Sequence, residues 1–216
     1  MNPVLEAFAP VSGEPPFRIE VLNAPPLPRT VFTSTDPFVV QLQHDRFICG
    51  WRKGGSVDPY PRFRAVVDRF YSIWAMFQSF IVKDIGEPLP QVTQAELTYV
   101  NDVFAADATT AHLGDLVRMW RPLEDAALPE FESAQFLQKH VVRDDDGPYA
   151  RLYVAAEPIG REGDGAGIRL TLTFRGAPRG EGEGSVVAFM NLAHERIVRA
   201  FAAVTTEQMH IVWGRR

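Results

Sequence analysis

Two short stretches carry the residue types that chemistry needs. "VVQLQHDRFICGWR" holds Gln41, Gln43, Asp45, Arg46 and Arg52, and "QAELTYVND" holds Glu96, Tyr99 and Asn101. An arginine fork can grip a carboxylate or phosphate, a carboxylate can serve as acid or base, and side-chain amides both donate and accept. If residues 38–52 pair with 91–104, these groups converge on a polar groove: Arg46 or Arg52 would hold an anion and Glu96 would move a proton. The same residues also make sense as fastenings. Glutamine amides bond across strands, Asp45 and Arg46 cap a hairpin turn, and buried polar networks fix register. Arg46 and Arg52 sit beside Phe47 and Trp51, where a guanidinium stacks and uses all its donors, so both are expected to hold the fold. A catalytic set needs an orienter and a pocket besides a base, so no catalytic residue is assigned. One feature separates the two readings. A filled core with Glu96 paired to an arginine favours a binding protein, and Glu96 facing a cavity favours a ligand site.

Other motifs fail on spacing. His194-Glu195 begins a zinc-protease pattern, but Val198 stands where the second histidine belongs. His112, His140 and His210 lack ligand spacing, so neither a metal nor a cofactor is expected. "GREGDGAG" lacks the Lys-Ser/Thr ending of a phosphate loop, "DDDG" lacks calcium-loop spacing, and "GGSVD" is no nucleophile elbow. Cys49, between apolar neighbours in "RFICGW", reads as a buried thiol.

The elements that must position these residues follow from periodicity. Residues 1–29 form a proline-rich arm, with "FRIEVL" (17–22) as an edge-strand candidate. "TVFTS" (30–34) predicts a strand, and "FVVQLQ" and "FICGW" predict a hairpin turning at His44-Asp45-Arg46. Alternation puts Val40 and Leu42 on one face, and Val39, Gln41 and Gln43 on the other. Three- and four-residue steps of Phe63, Val67, Phe70, Trp74, Phe77 and Ile81 predict a helix from 60 to 83 with this stripe buried. Pro61 suits its first turn and Gly86 its end. Residues 91–104, 134–143, 149–159 and 167–174 read as strands, the last three as an antiparallel meander. "TTAHLGDLVRMWRPLE" suggests a short helix stopped before Pro122. A second long helix runs from about 185 to 203, and Thr205-x-x-Gln208 resembles a capping box for a last turn.

The expected fold is α+β: one twisted antiparallel sheet of about six to seven strands, with both long helices on one face. Residues 30–216 are expected to form a single domain, with pseudo-repeat halves at 30–104 and 134–204. The net charge of −5 over 216 residues gives no reason to expect nucleic acid, although Arg62, Arg64 and Arg69 make a local basic face. One cysteine fits a reducing compartment, no apolar run suits a membrane, and the start lacks a signal peptide's pattern; a cytoplasmic protein is expected.

The block from 39 to 70 resembles the core of a sporadically distributed bacterial family of uncharacterised proteins. That family shows Q-x-Q-x-D-R-F-x-x-N-W-R, matched by Gln41, Gln43, Asp45, Arg46, Phe47, Trp51 and Arg52. Its E-x-x-Y-x-N strand is similar to the segment with Glu96, Tyr99 and Asn101, and its closing helix with a Trp-Gly-Arg tail to "LAHERIVRAFAAVTTEQMHIVWGRR". Gly50 stands at the family's Asn position, and the N-terminal region is shorter and richer in proline than in relatives. The family's patchy distribution implies an accessory gene cluster concerned with defence, toxin neutralisation or secretion. The expected function is therefore a non-catalytic protein-binding or adaptor protein whose partner is a protein encoded nearby, and a homodimer is compatible with it. The alternative is a small enzyme or ligand-binding protein with Gln41, Gln43, Arg46, Arg52, Glu96, Tyr99 and Asn101 lining a cleft between sheet and helix.

Overall fold

The computed structural model describes residues 29–33, 37–53, 60–104, 110–120, 125, 127–129, 134–161, 165–180 and 182–214. The strand expected at 17–22, and nearly all of the proline-rich arm, lie outside these residues. The chain divides into two units, and for the described residues the boundary falls between Gln91 and Val92.

In the first unit, β1 (Thr30–Thr33), β2 (Phe38–Gln43) and β3 (Arg46–Trp51) form an antiparallel sheet in that order. Leu42 faces Phe47, Val40 faces Cys49 and Phe38 faces Trp51, so these six share one side. Gln41, Gln43 and Arg46 lie on the other side, as alternation predicts. The helix α1 (Arg62–Phe80) packs on the apolar side through Phe47, whose ring lies 5.7 Å from Phe70, 5.2 Å from Trp74 and 5.4 Å from Phe77. Pro61 takes the capping position rather than the first turn. The helix widens into a π-type turn at Ile81–Ile85 and stops at Gly86, whose φ of +79° is one that side chains with a Cβ rarely adopt. The stripe expected to be buried is only half-buried, and no residue of α1 is fully covered. Dimensions explain this. Nineteen helical residues span about 28 Å, whereas strands of four to six residues span roughly 13–20 Å.

The second unit holds the fully buried core. β4 (Ala95–Phe104), β5 (Phe136–Asp144), β6 (Gly147–Arg161) and β7 (Gly165–Gly176) form a second antiparallel sheet in the order β4-β7-β6-β5. The single sheet expected from the sequence is therefore two, of three and four strands. β5, β6 and β7 do form the meander, and β4 joins it across β7, not the strands before it. The reason is side-chain pairing. Glu96 meets Arg175, Thr98 meets Thr173 and Asp102 meets Arg169 in one register, a complementarity that β2 and β3 do not offer.

The helix α2 (Gly182–Val204) covers the inner face of this sheet, with Phe189 against Phe174 at 5.3 Å and Ala193 and Ile197 fully buried. Each long helix thus lies on the sheet of its own unit. The segment 110–120 begins as a 3-10 helix, Thr110–Asp115, and buries Leu113, Leu116, Val117 and Trp120. Trp120 meets Phe136 at 5.5 Å. An isolated bridge pairs Val117 with Thr205 at the junction of α2 and α3 (Glu207–Val212). The cap of α3 is Thr206, one residue later than the sequence pattern suggests, and its Oγ1 accepts from the Met209 N–H. Thr205 is wholly buried instead. Its hydroxyl donates to the Phe201 carbonyl at 2.7 Å, so its contact with His210 Nε2, also 2.7 Å, requires the imidazole to donate.

The contrast in burial sets a measurable difference. Phe174→Ala empties a fully enclosed site and is expected to cost about 3–5 kcal/mol, against roughly half that for Phe70→Ala, which is half-exposed. Chemical denaturation of both variants checks the order. Equal losses would mean that the Phe70 face of α1 is covered as completely as the inner face of β7.

Candidate functional site

Strand alternation sorts the candidate residues. Gln41 and Gln43 lie on β2 with Ile48 and Arg46 opposite them, on the side facing away from α1. Arg46 donates through Nε and Nη2 to the neighbouring Asp45 carboxylate at 3.0 and 3.2 Å, as expected of a turn fastening. This guanidinium holds the Asp45 carboxyl below the usual carboxylate range. The arginine side chain is nevertheless 47% exposed, so the pair is a surface contact, not a buried anchor. Arg52 is exposed too, and its backbone N–H closes the sheet end on the Pro37 carbonyl at 2.9 Å.

Glu96, Tyr99 and Asn101 belong to the other unit, and the pairing of 38–52 with 91–104 that would have gathered all seven residues is not formed. Within β4 they also point to opposite sides. Glu96 lies on the open face, where Arg175 Nε donates to one carboxylate oxygen and the Thr98 hydroxyl donates to the other at 3.1 Å. Since Thr98 has spent its proton, the 2.9 Å contact with Thr173 must be donated by Thr173. Glu96 is thus engaged by a cation and a hydroxyl, the arrangement of a structural carboxylate.

Tyr99 and Asn101 lie on the inner face beneath α2. Tyr99 Oη is 2.8 Å from His194 Nδ1, and Asn101 Nδ2 is buried with no hydrogen-bond partner among the described residues. Burial lowers the His194 pKa below its ordinary value. The charged groups of β4 and β7, Glu96, Asp102, Arg169 and Arg175, alternate to the far side of the sheet, so none compensates an imidazolium there. Periodicity identifies this partner. His194 falls on the same helix face as Ile197 and Phe201, the face that meets the sheet.

The open face of the second sheet is built in rows across the strands. Asp102, Arg169 and Glu157 form one row, with Arg169 donating to both Asp102 oxygens at 2.8 and 2.9 Å. The next row is uncharged: Val100, Thr171, Ala155 and Leu137, whose end members are 59% and 60% exposed. Thr98, Thr173, Tyr153 and Lys139 follow, then Glu96, Arg175, Arg151 and Val141. Over the Tyr153 ring lie Lys139 Nζ at 5.8 Å and the Arg175 guanidinium at 5.5 Å, from the strands on either side. Sequence reasoning passed over this face, because which strands adjoin cannot be read from any one strand. Among the described residues no three of His, Cys, Asp and Glu gather as metal ligands, and no helix is long and apolar enough to cross a membrane. No family model, curated protein or solved structure matches the chain.

The His194 environment gives a signed pH dependence. With the folded pKa depressed, the unfolded chain binds the proton first. The contribution to stability is therefore full above the unfolded value of about 6.5 and is lost as pH falls from there through the folded pKa. The depressed Asp45 carboxyl acts in a separate window, below about 4. His194→Gln is expected to flatten the fall in melting temperature between about pH 7.5 and 5.5. An unchanged slope would assign that window to another group.

Proposed function

We propose that this protein is a non-catalytic protein-binding module that engages its partner through the open face of the four-stranded sheet. The observation that carries the reading is the uncharged row from Val100 to Leu137, which crosses all four strands and is flanked by the charged row of Asp102, Arg169 and Glu157 on one side and by the polar row of Thr98, Thr173, Tyr153 and Lys139 on the other. An apolar centre with a polar rim is the anatomy of protein interfaces. The engagement of Glu96 by Arg175 and Thr98 supports the same reading, because it removes the one carboxylate considered for acid–base work. We further propose that the chain is a member of the bacterial family its three blocks resemble. It would act in the cytoplasm with a protein encoded nearby, in an accessory cluster.

A second reading is favoured by one observation. The buried Asn101 donor beside the Tyr99–His194 bond would suit a small polar ligand beneath α2, which would make the chain a ligand-binding protein.

Leu137→Arg places a charge at the exposed end of the row without touching the core. When tagged protein is returned to its native host, the wild type is expected to retain a partner that Leu137→Arg loses, at equal melting temperature. Equal retention by both would move the binding surface elsewhere. Loss by Asn101→Leu alone would favour the ligand reading.

A further inference from the structure

We propose that this chain pairs with a second copy of itself through the outer edge of β5, joining two four-stranded sheets into one continuous sheet. β5 is an end strand of its sheet, and only Phe136 and Val142 along it are half-buried while the rest is exposed. Ladder geometry shows which backbone groups face outward. The Ala177 N–H donates to the Tyr149 carbonyl at 3.1 Å, so the odd-numbered residues of β6 bond to β7. The even-numbered ones, Ala150, Leu152, Val154 and Ala156, bond to Val142, His140, Gln138 and Phe136 of β5. The N–H and C=O groups of Leu137, Lys139 and Val141 therefore point away from β6, and no described residue bonds to them. Such a row of unpaired groups is a template for another strand.

The occupant follows from the sequence of the strand. An antiparallel copy centred on Lys139 is the one register that pairs all three outward residues. Leu137 then faces Val141 of the second copy, and Lys139 faces its own counterpart. On the other side of the sheet, Phe136 faces Val142 and Gln138 faces His140 across the same axis. Aromatic or aliphatic against β-branched, and amide against imidazole, are favourable cross-strand pairs. Sliding by two residues loses the match. One slide sets Phe136 against Asp144 and Leu137 against Arg143; the other sets Phe136 against His140 and Leu137 against Lys139. A lysine on an edge commonly guards it against pairing. Here its Nζ lies 5.8 Å from the centroid of the Tyr153 ring on β6, so the guard is drawn back over the sheet. A single strand pair is a small interface, so the dimer depends on concentration.

The test is sedimentation velocity of the full chain over a concentration series. The wild type is expected to pass from the mass of one chain to that of two, and more readily at high salt, which screens the central lysines. Lys139→Thr is expected to tighten the dimer by up to about fivefold, the cost of like charges directly opposite each other. Lys139→Pro removes only an outward N–H, which an edge strand tolerates, and is expected to stay monomeric. In a Cys49→Ser background, oxidation of Gln138→Cys/His140→Cys is expected to link two chains, and oxidation of His140→Cys alone is not. The two positions lie about 6.6–7 Å apart on one strand, too far to bond to each other. The proposal is overturned if the wild type stays monomeric up to about 1 mM. It is overturned equally if salt weakens association, if Lys139→Pro dimerises as well as the wild type, or if His140→Cys alone links as readily as the double variant. Leu137 stands both on this edge and on the face proposed above; because mass is measured on the isolated chain, the two claims stand or fall separately.

Discussion

The second unit depends on β7, one of the two inner strands of its sheet. In β7, Ile168, Leu170, Leu172 and Phe174 are fully buried, while Arg169, Thr171, Thr173 and Arg175 alternate to the opposite face. Burying four large side chains in a row supplies about 6–12 kcal/mol against the unfolded chain, before ordering costs. Because the side-chain period is two, this burial also fixes where every charged residue of the strand must stand. A slip of one residue would drive Arg169 and Arg175 under α2 and bring four apolar side chains to water. The layout of the open face is thus a by-product of the core it sits behind.

Much of this was readable from the chain, and the failures have physical causes. Periodicity located both long helices, the hairpin of the first unit and the three-strand meander, since these are local patterns. The split of Gln41 and Gln43 from Val40 and Leu42 followed from the same period. Neighbour choice was not readable. The sequence shows that β4 is a strand, but the complementarity of Glu96 with Arg175 and Asp102 with Arg169 becomes visible only once β7 is a candidate partner. The grouping of Glu96 with Tyr99 and Asn101 is a different failure. It joined residues of odd and even position on one strand, which alternation alone would have separated.

Burial in the first unit was misjudged for a geometric reason. Phe63, Phe70, Trp74 and Phe77 have the spacing of a core stripe, and spacing reports which residues share a face, not how much surface is there to meet them. Phe47 contacts three of these rings, and a sheet of short strands has little more to offer. The Thr205 reading erred by one position. Both Thr205 and Thr206 can cap, and the choice between them is made by the Val117 bridge, which draws Thr205 inward.

The late arrival of β5 to β7 in the chain bears on how the second unit assembles. β5, β6 and β7 are joined by connections of two and three residues, so their ladders close with little loss of chain freedom. β4 must wait for β7, with pairing that runs from Phe104↔Gly167 to Ala95↔Gly176 and encloses β5 and β6. Loop-closure entropy grows only logarithmically, about 0.6 kcal/mol per doubling of the enclosed length, so the final state tolerates such a connection far better than the route to it does. A nascent chain exposes β4 well before its neighbour exists. Its alternating polar residues, Glu96, Thr98 and Asp102, keep one side of the waiting strand compatible with water until β7 emerges.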